Sequence, residues 1–358
     1  MAERPLDLHG RPLGVLRLSL TARCNLACPY CCPDLEDPPD LLTLAERVAL
    51  VEATVGLGVH TLRLTGGEPL LHRRLEELIA ALQPLRRRDP GDPRGALREI
   101  ALTSNGVLLS AGRARQLKAA GLDRITLSLD GTDGASVARM AGLPGAAAGE
   151  AVLAKVLAAI RHAREAGFDP ARGALKLNAV ITRSGNGDQL LPLAALAREK
   201  GLELRLIEFM DVGNRNGWSP AQVLPAAEMV ARIGAAWPLE PLGRAPHGTA
   251  GRWRYRDRPA AAAGADGGAH LAVVASITAP FCGDCNRLRI TADGVAYSCL
   301  FAADGTDLRP WLRPRPEPGR LRQALEGLWR ARRDRWSEER QEAVDQRPAP
   351  AEMAYLGG

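Results

Sequence analysis

Six short apolar runs alternate with amphipathic helical segments through the first 220 residues, and this rhythm constrains the fold more than any other feature. Val15–Leu20, Thr61–Thr65, Ile100–Thr103, Ile125–Leu129, Leu175–Ile181 and Leu202–Phe209 read as strands. Between them Leu44–Leu57, Leu75–Leu85, Ala111–Ala120, Ala151–Ala166 and Leu190–Lys200 read as helices. Strands that alternate with helices make βαβ units on a parallel sheet. Six units predict an α/β fold, an incomplete (βα)6 TIM-like barrel rather than the closed eight-unit form. After residue 220 the rhythm changes. The Gly/Ala stretch 260–269 reads as a loop, Leu271–Ile277 and Arg287–Thr291 as strands, and the Pro-rich Arg313–Pro318 as a break before a helix over Leu321–Arg333. The expected division is therefore a barrel over 1–220 and a C-terminal extension over 221–358.

The strands carry an unusual second face. Leu16, Leu18 and Leu20 point one way and Arg17 and Ser19 the other. Arg63 opposes Leu62 and Leu64, Ser128 opposes Leu127 and Leu129, Lys176 and Asn178 oppose Leu175 and Leu177, and Arg205 opposes Leu204 and Leu206. A structural barrel fills its interior with Val, Ile and Leu. Here helices should cover the leucines, which leaves Arg17, Arg63, Lys176 and Arg205 in the lumen. Unpaired buried cations are costly, so four of them predict a polyanionic ligand. Bulk charge says less. The net charge is +6, from 47 Lys and Arg against 41 Asp and Glu, but only four of these cations are lysines. No basic block is interleaved with aromatics, so a nucleic-acid partner is not expected. No apolar run reaches the ~20 residues needed to cross a bilayer, and Met1 to Pro12 lack the apolar core of a signal peptide. A cytoplasmic protein without a membrane partner is the expectation.

Seven cysteines cluster at the two ends of the chain: Cys24, Cys28, Cys31 and Cys32, then Cys282, Cys285 and Cys299. A cytoplasmic setting argues against disulfides. Cys24, Cys28 and Cys31 form C-x3-C-x2-C directly after the first strand. Three thiolates fill three corners of a [4Fe–4S] cube and leave one iron open to a chelating small molecule. Zinc, the alternative, needs a fourth ligand, and Cys32, adjacent to Cys31, is awkwardly placed to supply it. Cys32 reads as a spare thiol. Cys282, Cys285 and, after thirteen more residues, Cys299 repeat the three-thiolate arithmetic and predict a second cluster with an open iron. Arg287 and Arg289 share one face of the next strand, and guanidinium forks match phosphate oxygens.

The C-x3-C-x2-C motif, with Tyr30 before its last cysteine and Thr65-Gly66-Gly67-Glu68-Pro69 ending the second strand, resembles the radical S-adenosylmethionine superfamily. That resemblance implies contacts from Tyr30, Gly67, Ser128 and Met210 to S-adenosylmethionine. The segments Leu16-Arg-Leu-Ser, Thr103-Ser-Asn-Gly, Arg205-Leu-Ile-Glu-Phe-Met-Asp-Val-Gly, Cys282-x2-Cys285-Asn-Arg-Leu-Arg and the terminal Gly357-Gly358 further resemble the GTP 3′,8-cyclase family of molybdenum cofactor biosynthesis, from about Arg11 to the last residue. Carried over by position, Arg17, Arg63, Thr103, Lys176, Arg287 and Arg289 match GTP-binding positions. Arg205 matches a further substrate arginine, and Gly357 and Gly358 match a tail that assists the radical step. One departure stands out: Thr61 occupies a position where the family commonly has lysine.

The activity so implied is the radical cyclisation of GTP to (8S)-3′,8-cyclo-7,8-dihydroguanosine 5′-triphosphate, with two [4Fe–4S] clusters and S-adenosylmethionine. An electron donor, a homodimer, and delivery of product to cyclic pyranopterin monophosphate synthase belong to the same expectation. A peptide-modifying relative would carry more cysteines after residue 221 and would have no use for a cation-lined lumen.

Overall fold

A computed structural model describes residues 4–89, 92, 95–258, 270–340 and 350–357. The expected loop over 260–269 and Gly358 lie outside the described residues. The six expected strands are present, each within one residue of its expected ends: β1 (Val15–Ser19), β2 (Thr61–Thr65), β3 (Glu99–Ser104), β4 (Arg124–Ser128), β5 (Leu175–Ile181) and β6 (Glu203–Glu208). They pair in chain order and in parallel. The later region adds β7 (Leu239–Arg244), β8 (Gly251–Tyr255), β9 (His270–Val274), β10 (Arg287–Ile290), β11 (Val295–Tyr297) and β12 (Thr306–Asp307). β10 joins the free edge of β1 and β9 joins β6, both in parallel. Antiparallel ribbons, β11–β12 and β8–β7, finish the two edges of one open sheet among the described residues. The incomplete barrel thus holds, and the C-terminal extension is woven into its edges.

Several elements differ from expectation for local reasons. The expected strand Leu271–Ile277 ends at Val274, because the amides of Ile277 and Thr278 turn to the Glu208 carboxylate at 2.8 and 3.0 Å. The helix expected over Leu75–Leu85 is broken into Leu75–Ala81 and Gln83–Arg86, with Pro84 in the first turn of the second piece. The last helix runs over Pro318–Arg330, so Arg332 lies beyond its end. Two helices were not anticipated, Gly134–Ala141 and Ala226–Ala236. The first packs against Ala146–Glu165 through Gly134 and Gly149, where side chains would enter the facing backbone. β7 carries Pro241 and Gly243, which hide a strand at the edge of a sheet.

The two-faced strands behave as their period demands. Leu16, Leu18, Leu62, Leu64, Leu127, Leu177, Leu204 and Leu206 are wholly buried in one continuous core. On the other face, register sets a row: Arg17 of β1 is level with Arg63 of β2 and with Arg289 of β10. Neighbouring strands lie about 4.8 Å apart, so three arginine stems rise side by side. The same parallel pairing separates the cysteine triads. The first triad follows the C-terminal end of β1. Cys282 and Cys285 precede the N-terminal end of β10, and Cys299 returns there after the antiparallel β11. Among the described residues no single helix is long and apolar enough to cross a membrane.

Candidate active site

The polar face of the sheet encloses a cavity of about 280 Å³ lined by all six expected cluster cysteines. Arg17, Arg63, Arg205, Arg287, Arg289, Tyr30, Gly67, Thr103, Ser128, Met210 and Gly357 line it as well. Cys32 does not; it has a positive φ of 48° and its thiol meets the Pro29 carbonyl. Lys176 is also absent from the lining. Its ammonium lies 3.0 Å from the buried carboxylate of Glu203, which Arg205 reaches from the other side at 2.7 Å. Sequence alternation placed Lys176 and Arg205 on the correct face but overlooked Glu203, two residues before Arg205 on that same face. Two of the four predicted lumen cations are therefore held by one buried carboxylate.

The first cysteine loop is held by the turn that follows β2. Gly67 N–H donates to the Thr21 carbonyl at 2.8 Å and Glu68 N–H to the Arg23 carbonyl at 2.8 Å. A side chain at Gly67 would enter the Arg23 and Ala22 carbonyls, so this glycine is required by the cysteine loop itself. The buried Glu68 carboxylate accepts from Leu70 N–H, Ser104 Oγ and Asn105 N–H, which ties the turn to the end of β3. Inside the loop, Tyr30 donates its hydroxyl to Asp130 at 2.6 Å, and Asp130 also accepts from Val180 N–H. Burial pushes the Cys31 thiol up to about 12, and the nearby Cys24, Cys32 and Asp130 add to the rise. Burial, then Asp130, likewise raises Cys28. The first triad sits in surroundings that disfavour free thiolates.

The second triad has the opposite surroundings at one position. Burial would raise the Cys285 thiol, but Arg287 and Arg332 outweigh it and bring it down to about 6. Arg287 reaches the sulfur with Nε at 3.4 Å and Nη2 at 3.2 Å, and Arg332 reaches it at 3.3 Å. Cys299, facing Asp334, is raised, mainly by burial. All the cysteines are free thiols, and among the described residues no three His, Cys, Asp or Glu side chains are arranged about a single ion. Each triad supplies the three corners of a cluster and falls one ligand short of the closed tetrahedron of structural zinc.

Between the triads lies the arginine row. Burial lowers the Arg17 guanidinium well below its ordinary value, and Arg289, Arg63 and Arg287 lower it further by like-charge repulsion. Arg63 is lowered to about 9 and Arg289 to about 10, in each case chiefly by burial. Arginine does not release its proton at such sites, so burial and like-charge crowding leave a cationic row with a demand for negative partners. Arg63 Nε and Arg205 Nε are buried without a hydrogen-bond partner among the described residues. The four carboxylates that line the cavity are engaged elsewhere: Glu68 and Glu208 by backbone N–H groups, Asp130 by Tyr30 and Val180 N–H, and Asp334 by Arg332 and Ser298. The tail answers part of the demand. Arg17 donates to the Gly357 carbonyl at 2.7 Å and Arg289 to the Leu356 carbonyl at 3.3 Å.

A parallel partial barrel whose first strand runs into C-x3-C-x2-C, over a Gly-Gly-Glu-Pro turn, is the architecture of a radical S-adenosylmethionine enzyme. Residues 18–203 match the family model of the Radical SAM superfamily, and residues 202–338 match that of Molybdenum Cofactor Synthesis C. The chain is 59% identical to GTP 3′,8-cyclase of Synechococcus sp. (strain CC9902) over 99% of its own length and 98% of that relative. It is 61% identical to GTP 3′,8-cyclase of Parasynechococcus marenigrum (strain WH8102), with the same coverage. Streptococcus suis SuiB shares the fold, with a TM-score of 0.57 at 13% identity, over 93% of this chain and 69% of that one. The chain belongs to the GTP 3′,8-cyclase family. Membership in the radical S-adenosylmethionine superfamily implies one [4Fe–4S] cluster and S-adenosylmethionine.

Proposed function

We propose that the chain converts GTP to (8S)-3′,8-cyclo-7,8-dihydroguanosine 5′-triphosphate, the first step of molybdenum cofactor biosynthesis. The observation that carries this reading is the Arg289–Arg17–Arg63 row, set in one cavity between two cysteine triads. Cys24, Cys28 and Cys31 would hold the first [4Fe–4S] cluster, with Tyr30, Gly67, Ser128 and Met210 around S-adenosylmethionine. Cys282, Cys285 and Cys299 would hold a second. When bound, the first cluster and S-adenosylmethionine supply the radical that opens a ribose C–H bond.

The protein's own contribution is positioning and electrostatics. Arg17, Arg63, Arg287 and Arg289 present a fixed cationic face to the triphosphate, Thr103 offers a hydroxyl beside it, and Arg205 is aimed by Glu203. Lys176 acts in this reading through Glu203 rather than by touching the nucleotide. Enclosure keeps water and stray hydrogen donors from reactive carbon. Gly357 lies next to Arg17, and the Gly357-Gly358 tail would assist the radical step. The division into a 1–220 barrel and a 221–358 substrate-binding extension, a homodimer, a cytoplasmic setting, a separate electron donor, and product transfer to cyclic pyranopterin monophosphate synthase complete the proposal.

The test is an anaerobic incubation of reconstituted protein with dithionite, S-adenosylmethionine and GTP, read by mass spectrometry. The expected result is 5′-deoxyadenosine together with the cyclised nucleotide. Appearance of 5′-deoxyadenosine with no GTP-derived product would reject GTP as the substrate.

A further inference from the structure

The second cysteine triad is braced by a buried ion-pair network drawn from both ends of the chain. Arg11 pairs with Asp7 at 2.5 Å and donates to the Cys282 carbonyl at 2.8 Å and to the Asp334 carbonyl at 3.0 Å. Arg332 donates to the Cys285 carbonyl at 2.7 Å and to the Cys285 sulfur at 3.3 Å. Its guanidinium pairs with Asp334 at 3.1 Å, lies 3.8 Å from Asp7 and stacks on the Trp329 ring at 4.8 Å. Asp334 in turn accepts from Ser298, the residue before Cys299, at 2.6 Å. Each of the three cysteines thus has its backbone or its chain neighbour fixed by this network. The Arg332 side chain is only 1% exposed, and buried charge of this kind is costly to assemble unless each member is satisfied.

Among the described residues the first triad has no comparable network. Its sulfurs receive neutral donors, Leu26 N–H at 3.5 Å and Asn105 Nδ2 at 3.6 Å, both on Cys24. Among the described residues no guanidinium or ammonium group is hydrogen-bonded to a first-triad sulfur. Charge and hydrogen bonds at the sulfurs are among the main determinants of a cluster's reduction potential. A cation that donates to a thiolate stabilises the more negative, reduced state.

We propose that Arg332 is a positioning residue for the second triad, and that its guanidinium raises the reduction potential of a cluster held there while Asp334 moderates that effect. This rests on the reading that the second triad binds an iron–sulfur cluster. Arg332 is not assigned contact with nucleotide. Its part is to fix Cys285 alongside Arg287 and to set how readily the cluster accepts an electron.

The experiment uses the full chain carrying Cys24→Ala, Cys28→Ala and Cys31→Ala, reconstituted anaerobically, so that any iron belongs to the second triad. Iron analysis should give about four per chain. An EPR-monitored redox titration is then run on this protein, on the same protein with Arg332→Gln, and on the same protein with Asp334→Asn. Arg332→Gln is expected to lower the reduced-to-oxidised ratio at fixed potential about tenfold, which is ~59 mV for a one-electron couple. Asp334→Asn is expected to shift the midpoint the other way, which a merely structural role does not predict. An unchanged midpoint in Arg332→Gln overturns the inference and leaves the second cluster standing. Absence of iron from the parent triple variant overturns both. If Arg332→Gln fails to retain iron, Asp334→Asn decides: an upward shift supports the inference, and an unchanged or lowered midpoint overturns it.

Discussion

Replacing Glu203 with glutamine removes the carboxylate that both Lys176 and Arg205 touch, and its cost can be worked from two sides. Burial opposes ionisation of Glu203, yet Arg205 and Lys176 together hold its carboxyl at about 2, against an ordinary 4.5. The difference of ~2.5 units corresponds to about 3 kcal/mol. Lys176 points the other way, because burial outweighs the Glu203 attraction and lowers its amine to about 8. As a whole the pair is close to break-even, and the penalty appears when one member is removed, typically about 3–5 kcal/mol. Because the orphaned lysine can release its proton, the lower end of that range is expected. Glu203→Gln should therefore lose about 3 kcal/mol at pH 7, or roughly 4 °C in melting temperature for a chain of this length.

The pH dependence gives the sharper test. The depressed carboxyl stabilises the fold fully above about pH 4.5 and less as pH falls toward 2, so the gap between parent and variant should close in acid. The depressed lysine is a penalty carried below about pH 8 and relieved between 8 and 10.5, so the parent should gain stability over that interval. Anaerobic urea melts followed by tryptophan fluorescence at pH 3, 5, 7 and 9 measure both. A variant within 1 kcal/mol of the parent at pH 7, or a gap that ignores pH, would refute this reasoning.

Arg17→Met removes one of three guanidinium groups in the row, each worth about 1.5–3 kcal/mol to a phosphate. GTP affinity should fall roughly ten- to hundredfold by isothermal titration. Gly357→Ala combines a φ of +75° with a methyl directed at the Thr65 hydroxyl, so the tail carbonyl should leave Arg17. Cyclised product should drop at least tenfold by mass spectrometry with iron content unchanged. Gly67→Ala drives a methyl into the carbonyls of Ala22 and Arg23. Iron per chain should fall by about half, and 5′-deoxyadenosine formation should be lost.

The strands and their polar face were legible because period two is a local signal: alternation alone assigns Arg17, Arg63 and Arg205 to one side. Alternation does not report partners. Lys176 sits on the expected face but is consumed by Glu203 on the adjacent strand, and only the pairing of β5 with β6 brings the two level. The cysteine motifs were legible because their spacing is short. Their supports were not, since Asp7, Arg11, Arg332 and Asp334 meet across more than 300 positions of sequence. Gly67 lines the cavity as expected, and the structure adds a second reason for a glycine there, since its backbone neighbours are the Ala22 and Arg23 carbonyls of the cysteine loop. The helix Gly134–Ala141 was not legible because it spans only eight residues, too few for the apolar stripe of Val137, Met140 and Ala141 to repeat.

The parallel pairing of β1 with β10 has a geometric consequence for any ligand. One triad lies beyond the end of β1 and the other before the start of β10, so the hydrogen-bond ladder between these strands works as a ruler. Strands of four to five residues rising about 3.3 Å each give a span on the order of 15 Å. A loop could drift by several ångströms, but a ladder with Arg17 locked level with Arg289 cannot slide without breaking every rung. Molecules too short to reach from one end of the ruler to the other can engage either triad but not both. The sheet thereby selects by length before any side chain selects by chemistry.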